Sequence, residues 1–171
     1  MAGSLIKIDE EIVSSAVASV TLGASNWDSS YDVYMVMLNN VTVSASNTID
    51  IQFLVSGTAD TSANYDYVAK NLWSGGTFAN NSGANANDIP FGNTINTGTN
   101  KQANAILYLF NFNNASEYSF ITFEETSANP DLVGRQGGGV LTVAQATNGV
   151  LIKAGTDNIN SGSFVLYGLK K

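Results

Sequence analysis

"NAILYLFNF" (residues 104–112) decides the fold class. At a period of two, Ile106, Tyr108, Phe110 and Phe112 share one side of an extended chain, and Leu107 and Leu109 share the other. Working outward, "TIDIQFLV" (48–55) sets Ile49, Ile51, Phe53 and Val55 against Thr48, Asp50 and Gln52, the pattern of a half-buried strand. "EYSFITFEE" (117–125) sets Tyr118, Phe120, Thr122 and Glu124 against Ser119, Ile121 and Phe123. Further runs lie at 16–23, 32–43, 139–143, 149–155 and 163–169, all rich in Val, Ile, Phe and Tyr and bounded by Asn, Gly and Ser. "YDYVAKNLW" (65–73) fits both periods and is assigned to a strand, because a small all-β domain rarely interrupts itself with a helix.

Eight or nine strands with little or no helix predict an all-β protein, an antiparallel and jelly-roll-like β-sandwich. The 171 residues read as one domain, large enough for its own core. A short N-terminal arm (about 1–12) and a long polar loop (about 74–100) flank the strands, with Ile89, Pro90 and Phe91 as the loop's apolar tether. "GRQGGG" (134–139) lacks the Lys and Ser/Thr of a phosphate loop and reads as a flexible lead-in to the strand at 139–143.

Composition narrows the chemistry. There is no cysteine and no histidine, which removes disulfides, thiolate chemistry and the commonest base and metal ligand near neutral pH. Charged residues make up only 12% of the chain and the net charge is −7, so the surface is expected to be neutral and rich in amides and hydroxyls. The few lysines and the single arginine are scattered, and nucleic acid is not an expected partner. The longest nearly uninterrupted apolar stretch, "VYMVML" (33–38), is too short to span a bilayer, so no membrane partner is expected either. The first fifteen residues carry no basic and apolar leader pattern, which predicts synthesis in a cytoplasm without a signal peptide.

No catalytic, cofactor or metal residues are assigned. Glu124 and Glu125 are adjacent on a strand, so their side chains diverge and form no hydrolase pair by themselves. Asp60 and Asp66 could meet calcium on a loop but lack the dense oxygen pattern of a calcium-binding loop. Trp27 and Trp73 stand in turn-like contexts and are the candidates for an interface or glycan contact. Asn80, Asn81 and Asp88 could serve as polar partners of Trp73, with a loop tucked onto the core as the plainer role for both rings.

The closing segment "NGVLIKAGTDNINSGSFVLYGLKK" (148–171) resembles the ending of many tailed-bacteriophage virion proteins. The shared pattern is a strand at 149–153, a polar turn at 155–160, a Ser-Gly turn and a final strand ending Leu166-Tyr167-Gly168-Leu169. "SANYDYVAK" (62–70) and the N-terminal runs resemble the same class more loosely. The resemblance implies a jelly-roll-like sandwich of the kind found in head-decoration (cement) proteins, with a tail or fibre module binding host glycan as the alternative. It implies the major capsid protein and further copies of the chain as partners, and the virion as location. It carries over no functional residues.

Several strands are apolar on both sides: Leu107 and Leu109 oppose Tyr108 and Phe110, Tyr34, Val36 and Leu38 oppose Val33, Met35 and Met37, and 164–169 is apolar throughout. An isolated sandwich should be polar outside, so these strands predict a homo-oligomer, a trimer before a dimer, with one of them at the interface. The final strand is expected in the interior of its sheet.

Overall fold

A computed structural model describes residues 4–129 and 131–170. The described residues form thirteen strands: β1 (Ser4–Val13), β2 (Ser19–Gly23), β3 (Val33–Val43), β4 (Asp50–Val55), β5 (Thr58–Ala59), β6 (Tyr65–Trp73), β7 (Phe78–Ala86), β8 (Ile89–Pro90), β9 (Ala103–Phe110), β10 (Ser119–Asn129), β11 (Asp131–Leu141), β12 (Gly149–Lys153) and β13 (Ile159–Lys170). The one helical element among the described residues is a 3-10 turn at Ala24–Asn26. Eight strands make the larger sheet, in the order β1-β13-β3-β9-β10-β11-β6-β7. The smaller sheet runs β2-β12-β4-β5, with β8 also paired to β4. Both sheets are antiparallel, as the alternating runs predict.

The core lies between the sheets. Tyr34, Val36, Leu38, Leu107, Leu109, Ile121, Phe123, Phe164 and Leu166 face it from the larger sheet, and Val20, Leu22, Ile51, Phe53, Val150 and Ile152 from the smaller one. Phe53 packs on Phe112 (ring centroids 4.7 Å apart) and edge-on to Tyr65 (5.5 Å). Burying such side chains contributes about 1.5–3 kcal/mol each relative to exposure, which fixes the register of every strand that carries them. The final strand β13 sits between β1 and β3, so it lies inside the sheet as expected. Gly168 allows this close packing, because a Cβ there would lie 2.4 Å from the Tyr31 ring.

Six expectations need correction. The described part of the N-terminal arm, from residue 4, is a full edge strand paired with β13, and residues 1–3 lie outside the described residues. A bulge between Lys7 and Asp9 turns Ile8 toward the core, and Asp9 then accepts hydrogen bonds from the Gly23 N–H and the Asn26 amide (both 2.9 Å). The polar stretch 74–100 is no single loop: "FANNSGANA" forms β7 against β6, and Ile95 joins Ile89 and Phe91 in the core. As an edge strand with no fully buried residue, β7 alternates in exposure, but small and polar residues fill both of its sides, so its sequence carries no apolar alternation. "GRQGGG" is the middle of β11, where Gly137 is required: a Cβ there would lie 2.3 Å from the Val68 carbonyl. The Ser-Gly turn of the closing segment is a pair of register shifts within β13, around Ser161 to Ser163. Phe112 does not follow Phe110 outward, since Asn111 adopts a left-handed φ of 63° and sends it into the core. Finally, "TIDIQFLV" is buried on both sides, not one, because Asp50 and Gln52 are covered as well.

Candidate functional site

The register of the larger sheet assembles its outward side. Val33, Phe110, Phe120 and Val140 lie opposite one another across β3, β9, β10 and β11. One step along, Tyr167, Met35, Tyr108, Thr122, Gly138 and Val68 form a second row. Val165, Met37 and Ile106 begin a third, which continues through Glu124, Gln136 and Lys70. This side is apolar over most of its width, and none of the described residues lies over it at its centre: Ile106 is 39% exposed, Tyr108 38% and Phe120 43%. Met35 and Val165, on the same side, are shielded by their neighbours at 5% each.

The surface has relief. Phe110 and Phe120 lie opposite each other on β9 and β10 with Tyr108 diagonal to them, an aromatic ridge along which Tyr108 and Phe120 are exposed and Phe110 partly so. Beside it, an open trough of about 700 Å³ is floored by Gly138 and Gly139 and walled by Phe120, Val140 and Val68. A second hollow, about 430 Å³, lies against Met37, Ile106, Glu124 and Gln136. The charges on this side are sparse and partnered. Lys7 pairs with Glu10 at 2.7 Å, Gln136 donates to Glu124 at 2.7 Å, and the Lys70 ammonium lies 5.6 Å from the centre of the Phe78 ring.

The inner side holds a polar cluster at one end of the same sheet. Glu125, Arg135 and Asn71 are neighbours in register across β10, β11 and β6, and all are buried. The Glu125 carboxylate accepts the Asn93 N–H (3.2 Å), and the Arg135 guanidinium donates to Asn81 Oδ1 (2.9 Å). Glu125 Oε1, Arg135 Nε and Asn71 Oδ1 find no hydrogen-bond partner among the described residues. Burial pushes the Glu125 carboxyl up to about 7 and Arg135 downward, and their mutual attraction opposes both shifts. A buried carboxyl with a raised pKa is a feature of some acid catalysts. Here it faces the Asn93 segment that covers it, and no second carboxylate shares its register row.

The residues singled out in the sequence are dispersed. Trp27 is half-buried, packed at a tilt against Tyr34 (ring centroids 4.0 Å apart) and donating its indole N–H to Asn113 (2.9 Å). It pins the 3-10 turn to the core. Trp73 ends β6 at the tip of the β6–β7 hairpin, whereas Asp88 lies beyond the far end of β7, paired with Lys153 at 2.8 Å. Asn81 is held by Arg135, so Trp73 and its candidate polar partners form no single site. Both Asp60 carboxylate oxygens are used, by Ser62 and Gln145, and Asp66 accepts the Asn85 N–H (2.9 Å). Among the described residues, no group of three or more acidic side chains is placed to hold a metal ion. Glu124 and Glu125 point to opposite sides of β10, as their adjacency requires.

No family model matches the chain, and no curated protein matches it in sequence. Among solved structures it is similar to the infectious bursal disease virus VP2 subviral particle, at 11% identity and a TM-score of 0.14. That alignment covers 99% of this chain and 41% of the VP2 chain, a likeness too slight to bear on the fold or the site.

Proposed function

We propose that the chain is a bacteriophage virion structural protein, a decoration protein that binds the outer surface of the head and stabilises it. The observation that carries this reading is the outward side of the larger sheet, a broad apolar surface with sparse, paired charge on a chain of otherwise low charge. Such a surface is suited to making contact, and it offers no convergent polar groups of the kind that hold a small substrate. The resemblance of the closing strands β12 and β13 to virion-protein endings supports the same reading. In this role the partners are the major capsid protein and further copies of the chain, with a trimer as the favoured assembly. Hydrogen bonds from an Asn-, Ser- and Thr-rich surface would hold such contacts with little dependence on salt.

Electron microscopy of virions that carry the chain tests this. The expected result is density for the sandwich on the outer head surface; density confined to the tail would replace the reading with a tail or fibre module. In that alternative Trp73 would bind glycan without Asp88, which sits at the opposite end of the β6–β7 hairpin.

A further inference from the structure

We propose that the outward side of the eight-stranded sheet is the surface on which one copy of this chain binds another. The inference deepens the self-association in the proposed role, and it stands or falls independently of any capsid.

Four observations support it. The first is extent: three rows of outward residues over six strands make a face of roughly 25 Å by 20 Å before side-chain relief is counted. That matches the largest patches soluble monomers leave bare, which are often contact surfaces, and side-chain relief raises it toward the ~800 Å² per partner of a standard protein interface. The second is location. The apolar rows are on the central strands β3, β9 and β10, not at a sheet edge, so strand addition at β1 or β7 would leave them in water.

The third is charge, and it selects the occupant. The chain carries −7 overall, so two copies repel over most of their surfaces. On this side Lys7 and Lys70 nearly balance Glu10, Asp66 and Glu124, and Lys7 and Glu10 already neutralise each other. This is a side on which two such acidic chains can approach closely. A strongly basic or acidic partner would find nothing here to pair with.

The fourth is shape. The aromatic ridge (Tyr108, Phe110, Phe120) stands beside the trough floored by Gly138. A bump and a hollow side by side are self-complementary: the ridge of one copy fills the trough of the next, and glycine on the floor lets an aromatic ring reach the backbone. This pairing closes with two copies about a two-fold axis or with three about a three-fold axis.

Sedimentation velocity of the purified full chain, alone and at micromolar concentration, is the test. The expected species is a dimer or trimer. Phe120→Asp and Tyr108→Lys, each placing a charge on the ridge, should weaken association at least about thirtyfold, as loss of one interface hot spot does. Both positions are exposed, so each variant should keep the wild-type circular dichroism and cooperative melt. Thr21→Asp, on the edge strand β2 of the smaller sheet, should leave the mass unchanged. A wild-type monomer at these concentrations overturns the proposal. So does an oligomer that survives Phe120→Asp and Tyr108→Lys, which would move the contact to a sheet edge. Capsid binding is not measured here, so a monomer that still decorates heads would sink this inference and leave the decoration reading intact.

Discussion

Strands β4 and β9 point their alternate residues away from the core in opposite styles. On β4 the outward residues Asp50 and Gln52 are polar yet buried, at 6% and 5% exposure. On β9 the outward residues Ile106 and Tyr108 are apolar yet exposed. The difference lies in what covers each strand. The segment after β7 lies against β4: Gln52 donates its amide to the Asn87 carbonyl (2.8 Å), β8 pairs with β4, and Gly92 bonds to the Ile49 carbonyl (3.0 Å). None of the described residues plays that part for β9. Polarity alone therefore does not say which side of a strand meets water; the rest of the chain, or another chain, decides it.

The comparison predicts first that the inward sides of the two strands are equivalent. Phe53→Ala on β4 should cost about 3–5 kcal/mol and Leu107→Ala on β9 about 2–5 kcal/mol, read by denaturant unfolding, since both side chains are fully buried. A loss below about 1 kcal/mol at either would show a core less continuous than described.

A second prediction concerns Glu125, which anchors Asn93 in the same covering segment. Its folded pKa, near 7, lies above its ordinary value of 4.5, so between these pH values the folded state binds more protons than the unfolded state. Its contribution to stability is therefore most favourable below about pH 4.5 and declines as pH rises toward 7, by up to roughly 3 kcal/mol. Melting the wild type and Glu125→Gln across this range isolates the effect from other carboxylates. The decline should flatten in the variant; equal slopes in the two proteins would contradict the assignment.

A third pits two glycines of β11 against each other. Gly137→Ala drives a Cβ toward the Val68 carbonyl and the Phe123 ring on the core side and should cost about 1–3 kcal/mol or more. Gly134→Ala, on the outward side, meets nothing closer than 3.7 Å and should be neutral or stabilising by up to about 1 kcal/mol. Equal costs would mean that the outward side is as tightly packed as the core.

The smallest effects belong to the outward residues themselves. Gln52→Leu strands a carbonyl under the covering segment and should cost about 1–3 kcal/mol. Tyr108→Ser, measured on the dissociated monomer, should stay within about 0.5 kcal/mol. Chemical denaturation at low protein concentration separates the two.

Much of the fold could be read from local pattern. Val36 and Leu38, Leu107 and Leu109, and Ile121 and Phe123 alternate as core strands must, and all are buried. The interior position of the last strand followed from apolar residues on both of its sides. Other parts depended on long-range contacts that no local pattern reports. The strand β7 pairs through its backbone with side chains of no marked preference, and the glycines of β11 are explained only by the neighbours a side chain would strike. The Glu125–Arg135–Asn71 row was also invisible, because Asn71 comes from β6, far in sequence from the β10–β11 hairpin that carries the other two. Only the adjacency of Glu124 and Glu125, which forces one of them inward, could have hinted at it. Trp27 and Trp73 were conspicuous as residues, but their partners were set by the fold.

The central claim is that the exposed ridge of β9 and β10 is a contact surface between copies. Hydroxyl-radical footprinting of the purified chain over a dilution series tests it most directly, with the exposed Ile6 of β1, on the opposite side of the sheet, as an internal reference. The account predicts that Tyr108 and Phe120 are protected relative to Ile6 at high concentration and become labelled on dilution. Tyr108 and Phe120 labelling that keeps a constant ratio to Ile6 at every concentration would contradict it.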